Sequence, residues 1–405
     1  MVEGKYYFFK KESCDLCGIC LNKCPVLGLS LEEAKEEMKR LIEGEETKHV
    51  LAKCTSCMTC NLFCPKDCLP YDLILQRWYE RYKKEGLSSF AKIMVTPMQT
   101  SPNLWSLMLP EDEKKTYQTW SKLRKSEEIL YPGCMMCFPP YLSYSKLFDG
   151  FNIMMSDELC CGEPFYRIGV LDTAEQVAKR LEKQFKIMGV KKMIFPCLGC
   201  YNTIKNIYPE RFGVKFEFEG MALVDLLWKK IESGEIKIKN KLNIRVTVLD
   251  NCHSKPFGTH FFDLVRKILE TLGAEIVEMK HNKENAPCCG IATFAINQDP
   301  MDVIDAAEKT FKEAEESGAD ALVVNCGGCL IMQSVGKFVS SGEMPIYHVI
   351  ELVQKAIGEE PVHRNMERAE KMFEVVIQQA PKYLAELPER YWVEPIEPDI
   401  ETKIE

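Results

Sequence analysis

The sequence predicts an α+β protein of several domains, a helical amino-terminal arm followed by two tandem α/β repeats, and three observations predict it. Twenty cysteines fall into two groups: nine lie between Cys14 and Cys68, none from 69 to 133, and eleven from Cys134 to Cys329. The second group sits in a stretch that runs twice through the same order of strands, cysteine-bearing turns and helices. The chain has 405 residues and 46% hydrophobic content, more than one ordinary core absorbs. The expected divisions are 1–90 for the arm, 91–126 for a linker, 127–240 and 241–360 for the repeats, and 361–405 for a helix and tail.

Bulk properties exclude several classes. Lys and Arg number 52 against 60 Asp and Glu, a formal charge of −8, so no basic excess exists to neutralise a phosphate backbone and no nucleic-acid partner is expected. No apolar run reaches the roughly 18 residues that a bilayer span needs. The amino terminus, MVEGKYYFFKKESC, lacks an apolar core followed by a cleavage site. These features predict a soluble, cytoplasmic chain with no membrane span of its own. In that compartment thiols stay reduced, so metal-held thiolates are expected rather than structural disulfides.

In the arm, Cys14, Cys17, Cys20 and Cys24 stand before Pro25 in the pattern C-x2-C-x2-C-x3-C-P, and Cys54, Cys57, Cys60 and Cys64 before Pro65 repeat it. Three closely spaced thiolates hold three irons of one cube, and in two-cluster ferredoxins the fourth cysteine ligates the other cluster. Two cubane 4Fe-4S clusters are therefore expected, one on Cys14, Cys17, Cys20 and Cys64, the other on Cys54, Cys57, Cys60 and Cys24. A four-cysteine zinc site would show two separated pairs instead. Between the motifs Leu31, Ala34, Met38 and Leu41 recur at helical spacing with acidic residues opposite, and YDLILQRWYERYKKEG reads as a further helix. The arm resembles the α-helical two-cluster ferredoxin domain of fumarate reductase iron-sulfur subunits and their relatives, which passes electrons singly between partners. Cys68 has no place in the motif and reads as a partly buried free thiol.

Pro97, Pro102 and Pro110 predict irregular structure in the linker. Beyond Pro361, RNMERAEKMFEVVIQQA predicts one helix, and the proline-rich, acidic end after it predicts an extended tail.

The repeats begin with EEILYPGC and IRVTVLDNC, continue with LCCGEP and PCCGIA, and reach KKMIFPCLGC and ADALVVNCGGC after helical patterns. Short β-branched runs alternating with helical periodicity predict parallel α/β halves. Ligands gather outside the carboxyl ends of such strands, where Cys134, Cys197, Cys252 and Cys326 fall. In the second repeat 35 residues separate Cys252 from Cys288-Cys289, and 36 more lead to Cys326 and Cys329. Five thiolates exceed the need of one tetrahedral zinc or one four-cysteine cube, so an unusual cluster or a bridging thiolate is implied.

Over about residues 10 to 355 the chain resembles the CCG-domain proteins, and among them the catalytic subunit of heterodisulfide reductase in its form with fused ferredoxin arm. The resemblance implies an α-helical two-cluster ferredoxin domain followed by two tandem α/β CCG repeats. It also implies a noncubane 4Fe-4S cluster on Cys252, Cys288, Cys289, Cys326 and Cys329. A second noncubane cluster is implied on Cys160, Cys161, Cys197, Cys200 and either Cys134 or Cys137, with Cys134 the better match after the strand YPG. That first repeat departs from the pattern, with only 25 residues before Cys160, and a cube, a zinc ion or a vacant site are its alternatives. His253 reads either as a donor to a cluster sulfur, a bound thiol or a substrate, or as a plain hydrogen-bonding residue. Lys255 reads either as an attractor of an anionic substrate or as solvated lysine.

The implied activity is reduction of a small thiol disulfide of the coenzyme M and coenzyme B type, with both cysteine sets as the catalytic sites. The rival implication is an electron-transfer subunit, as in lactate, glycolate or glycerol-3-phosphate oxidation systems. Either reading needs a redox partner, a flavoprotein or a membrane cytochrome b that would place the chain at the membrane's inner face. No Gly-rich phosphate loop precedes a helix, so any flavin belongs to that partner.

Overall fold

A helical arm and two parallel sheets make up the protein in the computed structural model, which describes residues 5–89, 91, 107–293, 296 and 300–396. In the arm, helix Leu31–Glu43 opens on a reciprocal cap, Ser30 Oγ accepting from Glu33 N and the Glu33 carboxylate accepting from Ser30 N. Ala34, Met38 and Leu41 face the core, whereas Leu31 is 41% exposed and stands off the expected stripe. The acidic residues are not all opposite either. Glu37 turns inward and accepts from the backbone N–H groups of Lys48, His49 and Val50 at 2.8, 3.0 and 2.9 Å, fixing the chain that leads into Cys54.

Helix Pro70–Glu85 starts with proline in its first turn, where no N–H is missed, and buries Leu73, Ile74, Leu75, Trp78 and Tyr82. It leads into β1 (Leu87–Ser88). Arm and first repeat are fastened by ion pairs, Asp72 to Arg211 at 2.8 Å and Lys5 to Glu175 at 2.5 Å.

In the first repeat β2 (Glu128–Leu130), β3 (Lys192–Phe195) and β4 (Glu219–Ala222) form a parallel sheet in that order. The second is a four-stranded parallel sheet in the order β6-β5-β7-β8, from β5 (Ile244–Leu249), β6 (Ala274–Ile276), β7 (Ala321–Val324) and β8 (Ile346–His348). Ala321, Leu322, Val323 and Val324 are all buried, as expected of a strand covered on both faces. The shortened interval of the first repeat has a clear cost in structure. Where the second repeat places helix His260–Thr271 and β6 after Cys252, the first has short helical turns and a single bridge from Leu130 to Ile153.

The linker differs from expectation. Pro97 and Pro102 lie outside the described residues, but Pro110 caps a regular helix, Glu111–Trp120. Its Glu113 is buried in an ion-pair network with Arg368 at 2.6 Å and Arg364 at 2.8 Å, so the linker packs on helix Asn365–Glu374. The tail also packs: β9 (Arg390–Tyr391) pairs antiparallel with β1, and Val393 N donates to Tyr82 OH at 3.0 Å. The end of the chain from 397 lies outside the described residues.

Candidate iron-sulfur centres

The arm folds its two motifs into matching cradles. Leu16 and Gly18 in the first, and Ser56 and Met58 in the second, take the left-handed conformation with φ of 56°, 74°, 60° and 64°. For a residue with a Cβ this costs about 1–2 kcal/mol, so the surrounding fold holds Leu16, Ser56 and Met58 there to aim the thiols. Cys14 and Cys20 both feel the thiols of Cys64 and Cys17, and burial together with Cys64 pushes Cys20 up to about 12. Cys24 lies instead with Cys54, Cys57 and Cys60: burial and Cys57 push it up to about 11, and burial followed by thiols chiefly of the same set raises Cys54 and Cys60. The fourth cysteine of each motif thus stands beside the other motif's triplet. Cys68 is buried next to the first set, its N–H donating to Cys64 Sγ at 3.3 Å.

In the first repeat Cys134 meets Cys160, Cys161 lies 3.4 Å from Cys200, and Cys200 meets Cys197. Cys137 turns aside and donates to Gly133 O at 3.4 Å. In the second repeat Cys252 and Cys288 are 3.7 Å apart, Cys289 meets Cys329, and Cys329 meets Cys326. The glycine after each cysteine pair has both properties that the turn needs. Gly162 and Gly290 take φ of +71° and +78°, and a Cβ there would come within 2.7 Å of Val177 on helix Leu171–Met188 and 2.8 Å of Val303 on helix Pro300–Glu316.

The two sets face each other through reciprocal contacts. A Cβ on Gly327, beside Cys326, would lie 2.4 Å from Met135 O, and one on Gly199, beside Cys200, would lie 3.3 Å from the His253 ring.

The donor sets fit iron-sulfur clusters. Burial disfavours thiolates in most of these sites, and cluster iron supplies the positive charge that thiolates require. Gly133 leaves a cradle at Cys200 Sγ that a Cβ would fill, at 2.4 Å. Near Cys160 the buried Arg180 has Nε and Nη2 without a hydrogen-bond partner among the described residues, two donors suited to an anionic sulfur. Among those residues no three His, Cys, Asp or Glu side chains form a single-ion site.

Comparison with known proteins agrees with this chemistry. The cysteine-rich domain family CCG matches residues 141–205 and 246–333. The chain carries two CCG cysteine-rich domains. Cys134 and Cys137 lie just before the first matched stretch, and the other nine cysteines of the repeats lie within the two. The chain is homologous to one subunit of the dihydromethanophenazine:CoB–CoM heterodisulfide reductase of Methanosarcina barkeri, 26% identical over 78% of this chain and 80% of that protein. Its counterpart in Methanosarcina acetivorans is 25% identical over 86% and 94%. The chain is also similar to the EtfAB:quinone oxidoreductase of Syntrophomonas wolfei, 23% identical over 82% of this chain and 50% of that protein. By name these are oxidoreductases, the first two of them subunits of a larger enzyme. Among the described residues no helix is long and apolar enough to cross a membrane.

At the junction of the two CCG domains the structure places residues that spacing does not reveal. Arg167 closes the short helix Glu163–Arg167 of the first domain and is 2% exposed. Its Nη1 donates to Cys252 Sγ at 3.5 Å and to Glu163 Oε1 at 3.1 Å, and its Nη2 to Cys288 Sγ at 3.3 Å. Burial opposes its charge, but Cys252, Cys288 and Glu163 more than offset that and raise its pKa. His253 lies 2.9 Å from Glu163 Oε1 through Nε2 and 3.3 Å from Asn202 Nδ2 through Nδ1, so protein groups occupy both ring nitrogens. Lys255, neither solvated nor lining an open approach, is 1% exposed and donates to Thr59 Oγ1 and, at 2.8 Å, to Ala286 O. The one sequence signal that could have flagged Glu163 and Arg167 is their i, i+4 spacing directly after a CCG turn.

Proposed function

We propose that this chain is a disulfide reductase of the heterodisulfide reductase type, in which the arm hands electrons to the CCG domains and a small thiol disulfide is cleaved there. The observation that carries the reading is the pair of five-thiol sets facing each other across one interface, Gly327 on Met135 and Gly199 on His253. A disulfide takes two electrons and two protons to give two thiols, whereas a cluster gives one electron at a time, so two facing centres match the count. Cys14, Cys17, Cys20 and Cys64, and Cys24, Cys54, Cys57 and Cys60, would hold the cubane clusters. Cys134, Cys160, Cys161, Cys197 and Cys200, and Cys252, Cys288, Cys289, Cys326 and Cys329, would hold the noncubane ones. Bound there, clusters would supply electrons one at a time and the Lewis acidity of iron. The chain's own part is to bury the thiols, to aim them through the left-handed turns, and to hold the two sets against each other.

The test is oxidation of a reduced viologen by anaerobically purified, iron-replete protein, offered the coenzyme M and coenzyme B heterodisulfide beside simple disulfides. Turnover selective for one disulfide is the expected result; no turnover with all clusters present and reducible overturns it. A second reading, an electron-transfer subunit serving a flavoprotein, is favoured by the burial of Cys160 and Cys161 at 0% and 1% exposure and by the similarity to a quinone oxidoreductase. In that reading the partner's reduced flavin, and not a disulfide, exchanges electrons with the chain.

A further inference from the structure

Two buried cations lie between the arm and the second CCG domain. Besides its bonds to Cys252 and Cys288, Arg167 donates from Nη2 to Thr55 O and from Nε to Ser56 Oγ, both at 3.0 Å, and its own carbonyl accepts from Ser56 Oγ at 2.9 Å. Thr55 and Ser56 lie between Cys54 and Cys57, and the guanidinium's charge reaches Cys54. Lys255 bridges the same gap. Thr59, to which it donates, sits between Cys57 and Cys60 with Oγ1 3.1 Å from Cys57 Sγ, and the Lys255 charge reaches Cys24. The route from Cys54 to Cys252 therefore runs along the chain to Thr55 O and then by two hydrogen bonds through the Arg167 guanidinium.

Among the described residues no hydrogen-bonded bridge of this kind joins the arm to the first domain's set, whose nearby buried cation is Arg180 beside Cys160. In register with His253 and Glu163 stand Met135 and Ile291, which pack together against Gly328 at 3.3 and 3.2 Å from a Cβ placed there. The position in register with Arg167 is Ala295. A buried guanidinium donating to two ligand sulfurs favours the more negative, reduced state of whatever those sulfurs hold.

We propose that Arg167 is a positioning residue that raises the reduction potential of the second CCG centre, making it the receiver of electrons from the centre on Cys24, Cys54, Cys57 and Cys60. This rests on the second CCG domain holding a cluster, and not on what the protein reduces.

The experiment is an anaerobic redox titration followed by EPR, with iron and sulfide analysis, on the full chain and on Arg167→Gln and Arg167→Lys variants. The second-site signal is identified by its loss in Cys329→Ser. With iron retained, Arg167→Gln is expected to lower the second site's reduction equilibrium at least tenfold, about 59 mV for one electron, with the other signals unmoved. Arg167→Lys keeps the charge without the fork and is expected to show a smaller drop. An iron-replete Arg167→Gln protein with an unchanged potential overturns the proposal. Should that variant lose iron, iron-replete Arg167→Lys decides by the same criterion, and loss of iron in both overturns the proposal in favour of a scaffold role. Unaltered protein short of a cluster, with no second-site signal, would instead refute the underlying cluster reading.

Discussion

The two CCG domains are built on one plan and differ where they meet the rest of the molecule. In the second, polar residues surround the thiols: Asn251 precedes Cys252, Asn325 precedes Cys326, and His253 joins Glu163 and Arg167. In the first, Gly133 precedes Cys134, Pro196 precedes Cys197, and Met135 and Ile291 both approach Gly328. The same cradle thus carries a charged junction on one side and an apolar one on the other. Charge placed beside thiolates tunes what they hold, so the junction at the second domain is where a substitution is expected to move a potential.

The widest test of that asymmetry compares Cys289→Ser with Cys161→Ser. If both sets act on one disulfide, each variant is expected to lose turnover by about 100-fold or more in the viologen assay. Full activity in Cys161→Ser would reduce the first domain to a scaffold.

Next in size is the polar junction itself. Glu163→Ala would leave Arg167 and His253 buried without their carboxylate, and a loss of about 3–5 kcal/mol is expected in chemical denaturation. Ile291→Ala, at the matching apolar junction, is expected to cost about 1–2 kcal/mol, because Ile291 is only partly buried. Equal losses would break the comparison.

The reciprocal glycines give a smaller contrast. Gly327→Ala drives a Cβ into a backbone oxygen, Met135 O at 2.4 Å, and is expected to cost up to about 3 kcal/mol. Gly199→Ala meets a side chain at 3.3 Å that can shift by a few tenths of an ångström, and it should cost less than about 1 kcal/mol. Thermal unfolding of the two variants checks the order.

Acid sensitivity separates the domains last. His348 caps helix Val349–Ala356 of the second domain, where the first has Ala222, and burial holds it down to about 3. Its unfolded value is near 6.5, so the unfolded chain binds the extra proton between these values and stability falls as pH drops from about 6.5 towards 3. The expected loss is about 2 kcal/mol at pH 5, and His348→Asn, which keeps a cap without the titration, should flatten it in a pH series of denaturation curves.

Much of the fold is legible in the sequence because its causes are local. Helix Leu31–Glu43 is announced by the spacing of Ala34, Met38 and Leu41, and the parallel strands by apolar runs such as Ala321–Val324. The differences from expectation concern distant partners. Helical spacing puts Glu37 on an outer face because its amide partners, Lys48 to Val50, are 11 to 13 residues ahead. The tail reads as extended because β9 finds its partner in β1, about three hundred residues earlier.

By itself the sequence determined which residues are thiols, how they are spaced and which turns bend them, because ligand spacing and turn chemistry act over a few residues. Only the tertiary structure decided which thiol set lies beside the arm and which charge stands between them. Arg167 belongs to none of the sequence motifs, and its partners Cys252, Ser56 and Cys288 are 85, 111 and 121 positions away. A buried charge is determined by the whole set of groups that close around it, and that set exists only once the three parts of the chain have packed.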